Sequence, residues 1–340
     1  MKLIKTEEAV GHILCHDMTQ IIKDEFKGPR FRKGHVVTEE DIPVLLSMGK
    51  EHLYVYEVTP GMVHEDDAAE RLLALCDIEN MTRSETKEGK IELKADIDGL
   101  FIVDSKRLID VNSQDEVMIA TRKGGTAVKK GDKLAGMRVI PLIIEDEKLR
   151  KAEEAAGGKP VLCLRPFVRK TACIISTGSE VKKGLIKDTF TPVVAGKLKT
   201  FGIETLDIDY SGDGVDNVKD MILAKKEQFH PDMILCTGGM SVDPDDTTPG
   251  GIRAAGASVV CYGAPVLPGA MFLLAYFDDG TPIMGLPGCV MYAKATVFDL
   301  VLPKVAADIK VTKADISALG EGGLCLGCKE CHYPVCPFGK

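Results

Sequence analysis

From residue 161 to residue 308, strand-like apolar runs alternate with helix-like ones, and this alternation constrains the fold more than any other feature. Residues 171–176, 202–207 and 231–236 read as strands, and residues 190–201 and 215–228 read as helices. Such alternation is the signature of an α/β domain, a three-layer, mostly parallel sheet with helices on both faces. Ligands of such sheets bind beyond the carboxyl ends of the strands. Three Gly-rich loops fall there: Ser176-Thr177-Gly178-Ser179-Glu180, Cys236-Thr237-Gly238-Gly239-Met240-Ser241 and Gly285-Leu286-Pro287-Gly288-Cys289. Glycines let backbone amides approach an anion, each loop runs into a helix or a polar loop, and a helix start adds partial positive charge. Thr177, Ser179, Thr237, Ser241, Thr247 and Thr248 add hydroxyls. One such loop is merely a tight turn; three in one domain point to a phosphate-sized anion.

The rest of the chain divides by composition. Residues 1–85 mix short apolar and charged segments, a mixed α+β region with Thr38 as a helix N-cap. Residues 86–145 form a small β-rich module: 90–97 alternates with period two, and Gly124-Gly125 and Lys130-Gly131-Asp132 are turn chemistry. Residues 146–160 are a charged helical linker ended by Gly157-Gly158-Lys159-Pro160, expected to be the main hinge. Residues 161–308 are the α/β domain, and residues 309–340 form a Cys-rich tail.

Charge and hydropathy exclude several function classes. The formal net charge of −8 opposes bulk nucleic-acid binding, so no nucleic-acid partner is expected. Residues 254–277 carry no charge and could span a bilayer by length, but Gly256, Gly263, Pro265, Pro268 and Gly269 interrupt them. Two buried strands joined by a Gly/Pro loop are expected instead, and no membrane contact. The first residues lack an apolar run of leader length, and most of the seven cysteines from Cys15 to Cys289 sit in apolar runs. A reducing, cytoplasmic setting with free thiols follows.

The acidic residues near the loops are Glu180, Asp207, Asp209, Asp213, Asp243, Asp245 and Asp246. Carboxylates beside a phosphate cradle commonly hold Mg²⁺; the bland alternative is that Asp245 and Asp246 cap the helix starting near Thr248-Pro249. Thr177-Gly178-Ser179-Glu180, Thr237-Gly238-Gly239-Met240-Ser241 and Gly285-Leu286-Pro287-Gly288 together resemble the molybdopterin-binding domain family, in the same order and rough spacing. That family includes molybdopterin molybdotransferase, molybdopterin adenylyltransferase and the related domain of competence-damage-inducible proteins. The resemblance spans about residues 168–308. It implies a pterin phosphate bound by Thr177, Gly178, Ser179, Glu180, Thr237, Gly238, Gly239, Ser241, Pro287 and Gly288, with Asp245 or Asp246 as the catalytic acidic residues working with Mg²⁺.

The resemblance further implies a protein of molybdenum cofactor biosynthesis or maturation, with molybdopterin or a nucleotide derivative as ligand. As an enzyme it would be a Mg²⁺-assisted nucleotidyl or metal transferase of the molybdotransferase or adenylyltransferase type, commonly a homo-oligomer. Two features depart from the molybdotransferase: Cys289 stands where that enzyme has Asn, and residues 266–271 hold no lysine to meet an oxyanion. They leave open a non-catalytic carrier or sensor docking on a molybdoenzyme. The Asp245-Asp246-Thr247-Thr248-Pro249 stretch leaves open a nucleotide pyrophosphatase.

Four cysteines crowd into the tail as Cys325, Cys328, Cys331 and Cys336, spaced C-x₂-C-x₂-C-x₄-C-P. The ferredoxin run C-x₂-C-x₂-C-x₃-C-P is one residue shorter. An iron–sulfur cluster is the first reading, structural Zn²⁺ the second, with His332 able to replace one ligand. A metal-free redox or delivery tail is the third.

Overall fold

In the computed structural model, residues 2–22, 25–55, 60–241 and 246–340 are described. The chain forms two compact units. The first takes residues 1–96, 102–124 and 130–164; the second takes 97–101, 125–129 and 165–340.

The first unit is built from small antiparallel sheets and four helices among its described residues. Lys2–Lys5 pairs with His52–Val55, Met18–Ile22 with Phe26–Phe31, and Met62–His64 with Ile143–Glu145. A four-stranded sheet runs Met81–Arg83, Ile91–Ala95, Lys133–Val139, Val117–Thr121. Ile91–Ala95 buries alternate side chains, the period-two pattern of a strand with one face on a core. Asp146–Ala156 is a helix whose end is set by Gly157 at φ +65°, a left-handed residue that glycine adopts without strain. One expectation needs correction. Thr38 does not cap the helix Asp41–Ser47; its amide and hydroxyl both donate to Asp41 Oδ2, at 2.8 and 2.9 Å, because an ionised carboxylate is the stronger acceptor.

The second unit centres on a six-stranded sheet. Its strands are β1 (Thr171–Thr177), β2 (Glu204–Ser211), β3 (Met233–Thr237), β4 (Ser258–Tyr262), β5 (Leu273–Tyr276) and β6 (Pro282–Leu286). The spatial order is β2-β1-β3-β6-β5-β4. Pairings β1/β2, β1/β3 and β3/β6 are parallel, and β5/β6 and β4/β5 antiparallel. β3, β5 and β6 are buried at every residue and β1 at all but its first, so both faces of these central strands are covered. The outer strands β2 and β4 are mostly open.

The helices are α1 (Ser179–Lys182), α2 (Phe190–Lys199), α3 (Val215–Phe229), α4 (Thr248–Ala254), α5 (Val297–Ala306) and α6 (Lys313–Ala318). Val218 and Ile222, one turn apart on α3, are fully buried among Ile175, Ile234 and Leu273. Lys225, one turn further on, is also buried; its ammonium lies 2.7 Å from both Asp207 and Asp209 on β2. The uncharged stretch 254–277 supplies the strands β4 and β5, and no helix among the described residues is long and apolar enough to cross a membrane.

Candidate anion site at the carboxyl ends of three parallel strands

The strand register fixes where the loops emerge. Ser176 of β1 lies opposite Thr237 of β3, and Thr237 lies opposite Leu286 of β6. The three strands are parallel neighbours, so the chain leaves all of them at one sheet edge, spaced by about 4.8 Å per strand. Gly178, Gly239 and Gly288 therefore begin adjacent loops. A fourth loop joins them: Thr177 lies opposite Ser211 of β2, and Gly178 N donates to Ser211 O at 3.1 Å.

Loops one and two are locked together by buried hydroxyls. Thr177 Oγ1 lies 3.0 Å from Thr237 O and 2.9 Å from Thr248 Oγ1; Thr248 Oγ1 lies 3.0 Å from Gly238 O. Two hydroxyl hydrogens serve three contacts, so at any moment either one carbonyl or the hydroxyl–hydroxyl contact goes without a proton. Thr248 N also donates to Gly239 O at 3.2 Å. The glycines answer to this packing. Gly238 and Gly239 have φ +84° and +55°, and a Cβ on either would sit 2.3 Å from Thr177 O or 2.6 Å from Thr248 Oγ1. Their missing side chains thus face another loop. Gly288 differs, because a Cβ there would meet only open space.

Loop two is anchored from the outside by Tyr262, whose hydroxyl donates toward Met240 O at 3.0 Å, with Ser241 O at 3.4 Å. Asp246 Oδ2 accepts from Ser241 N at 2.8 Å, so this carboxylate closes its own loop. Asp243 and Asp245 lie outside the described residues. In loop one, Ser179 N donates to Asp213 Oδ2 at 3.3 Å, and Gly214 N donates to Thr247 Oγ1 at 2.9 Å. Glu180 is exposed, Pro287 is buried and Gly288 is exposed. Thr237 Oγ1 is buried without a hydrogen-bond partner among the described residues, and no acceptor is found there for the Gly239 and Met240 amides.

Two expectations change in physical content. A long helix dipole does not contribute: α1 has four residues, α4 has seven, and loop three enters a four-residue 3₁₀ turn at Gly288–Met291. The candidate set also omits the loop after β2, although Ser211-Gly212-Asp213-Gly214 carries the same glycine-after-strand signal. That loop holds a cation nearby, since a side chain at Gly212 would meet Lys182 at 3.6 Å.

Substituting Thr177→Val keeps shape but strips the hydroxyl from Thr237 O and Thr248 Oγ1. A loss of about 1–3 kcal/mol is expected in urea unfolding. Thr248→Val should cost a similar amount, and the double variant less than the sum, because both act in one network.

The cysteines separate by environment. All eleven are free. Burial pushes the Cys236 thiol up to about 12 and the Cys173 thiol up to about 11, and raises that of half-buried Cys289. A raised thiol is a poor nucleophile. Native alkylation at pH 8 of the metal-free protein should therefore label exposed Cys328 and Cys331 first and leave Cys236 and Cys173 unmodified, as peptide mapping would check. Among the described residues, no group of three or more His, Cys, Asp or Glu side chains is gathered closely enough to hold a metal ion as it stands.

Comparison with known proteins adds to this geometry. Residues 173–307 match the family model of a probable molybdopterin binding domain, and residues 3–57 match a domain of unknown function. A molybdopterin molybdenumtransferase of Staphylococcus epidermidis is 24% identical over 301 residues, covering 84% of this chain and 66% of that protein. The chain thus spans just under two thirds of that relative's length. A CinA-like protein of Petrotoga mobilis is 36% identical over 77 residues, 23% of this chain and 19% of that one. Among solved structures, the protein CinA of Thermoplasma acidophilum aligns with TM-score 0.36 and 18% identity, over 40% of this chain and 98% of that one. The molybdopterin biosynthesis enzyme MoaB of Thermus thermophilus aligns with TM-score 0.34 and 17% identity, over 42% and 98%.

Proposed function

We propose that this chain, whose residues 173–307 are homologous to the molybdopterin-binding domains of molybdenum cofactor biosynthesis proteins, binds molybdopterin or its nucleotide derivative through the phosphate at the shared edge of β1, β3 and β6. The observation that carries this reading is the register Ser176–Thr237–Leu286, which sets the three loops side by side. The donor chemistry fits a phosphate: the Gly239 and Met240 amides without acceptors among the described residues, the exposed Gly288 backbone, the Ser179 hydroxyl and the Lys182 ammonium. Glu180, Ser241 and Pro287 border it, and Thr177 and Thr237 underlie it. Lys182 supplies the positive charge that residues 266–271 lack.

Magnesium fits as a guest of the ligand. Asp246 keeps one carboxylate oxygen free of Ser241 N, and Asp245 immediately precedes it in the same motif. A hydrated Mg²⁺ arriving on nucleotide phosphates needs only one or two carboxylates. It would neutralise phosphate charge there. The chain's own contribution is to hold the phosphate on fixed amides that need no reorganisation.

The carrier form of this reading draws on the loop 266–271. Leu267 N donates to Gly323 O and Leu267 O accepts from Cys325 N, each at 2.8 Å, so this loop supports the tail rather than facing an oxyanion. The proposal includes a three-layer sheet, a cytoplasmic homo-oligomer and delivery to a molybdoenzyme.

The test is anaerobic incubation with molybdopterin, Mg-ATP and molybdate, following adenylylated pterin and bound molybdenum. Turnover identifies a transferase, and stoichiometric binding without turnover identifies a carrier. Absence of pterin binding removes both.

A further inference from the structure

The tail is ordered against the second unit by specific contacts. Beyond its pairing with Leu267, Tyr333 donates its hydroxyl to Asp299 O at 3.0 Å, Gly339 N donates to Gly322 O at 2.9 Å, and Phe338 is buried. These contacts hold the four tail cysteines around one cavity of about 300 Å³, lined by Cys325, Cys328, Cys331, His332 and Cys336. Its far wall is Ala293-Lys294-Ala295, a few residues beyond Gly288.

A structural explanation for these thiols is wanting. None forms a disulfide. Cys328 and Cys331 are exposed, so they fill no core, and exposed free thiols are a liability that needs a use. The geometry also separates the two metal chemistries. A single Zn²⁺ binds sulfur at about 2.3 Å, which draws four sulfurs to within about 3.8 Å of one another and leaves no cavity. Here the four cysteines line a space of about 300 Å³, and their C-x₂-C-x₂-C-x₄-C-P spacing is the cluster run lengthened by one residue. A four-iron, four-sulfide cluster puts each thiolate on a different iron atom and fills such a space with its own core. Lys294 in the wall offers positive charge to an anionic cluster.

We propose that this cavity is the seat of an iron–sulfur cluster ligated by Cys325, Cys328, Cys331 and Cys336. It assembles by exchange: each cysteine sulfur replaces a thiolate already on iron and passes its proton to the departing thiolate, with no change in oxidation state. The proposal is independent of the pterin reading.

The full chain is incubated anaerobically with a synthetic cluster carrying small thiolate ligands, then desalted. Iron and sulfide retained in equal amounts, with broad visible absorption, are expected. The Cys328→Ser/Cys331→Ser double variant alters only exposed positions and should keep the thermal midpoint while retaining at least about tenfold less iron. Equal retention by the double variant overturns the proposal, as does failure of the wild type to retain iron. Tight binding of zinc alone that blocks cluster uptake also overturns it.

Discussion

Gly238→Val should abolish molybdopterin binding and cost about 3–5 kcal/mol of stability, the sum of left-handed strain and overpacking. Gly238 has φ +84°, which β-branched residues avoid, and its Cβ would lie 2.3 Å from the Thr177 carbonyl oxygen. That atom is backbone at the end of a buried central strand, so it cannot swing aside. Relief would require loop two to leave loop one, breaking the Thr177–Thr248 contact. Urea unfolding followed by two probes measures the loss, and titration with molybdopterin measures the binding. Gly288→Ala is the contrasting variant. Its Cβ enters open space, so the unfolding midpoint should hold within about 0.5 kcal/mol. Its pterin affinity should still fall, because the added methyl occupies the approach to the backbone.

Lys225→Met should cost about 2–3 kcal/mol at neutral pH. The ammonium is buried and bridges Asp207 and Asp209, which project from the same face of β2 two residues apart. Removing it leaves two carboxylates facing an apolar side chain. Losing one partner of a fully buried pair costs about 3–5 kcal/mol, and the figure is reduced because the carboxylates are 30 and 40% exposed. The pH dependence has a definite sign. The Lys225 hydrogen bond, outweighing burial, holds the Asp209 carboxyl below its ordinary value. Burial opposes the Lys225 charge, but the two carboxylates prevail and raise its pKa. The bridge therefore stabilises fully between the ordinary carboxylate and lysine values, about 4 to 10. It weakens as pH falls through the lowered Asp209 value or rises through the raised Lys225 value. The gap between wild type and variant should narrow as pH is taken from 7 down below the ordinary carboxylate value, in denaturation series at each pH.

How much the sequence revealed follows from the range of the interactions. Continuous apolar runs such as 171–177 and 233–237 announce strands covered on both faces, and glycine after each strand announces the loops. Both signals are local. The reason for Gly238 and Gly239 is not local: it is Thr177, some sixty residues earlier, and Thr248, which pairs with Thr177 across 71 positions. Tyr262 is equally illegible, since nothing near it in sequence says that its hydroxyl reaches Met240 O. The loop after β2 was within reach, because Gly212 and Gly214 repeat the pattern used for the other loops. The tail spacing marks the thiols, whereas the cavity between them comes from residues 293–295 folding back beside them.

The central claim is that the loops leaving β1, β3 and β6 form one pocket for a phosphate. Equilibrium binding of molybdopterin, compared with the same pterin after removal of its phosphate, tests it most directly. One phosphorylated pterin per chain should bind, at least about tenfold more weakly once the phosphate is gone, with a matching loss in Gly288→Ala. Equal affinity for both pterins, or undiminished binding in Gly288→Ala, would contradict it.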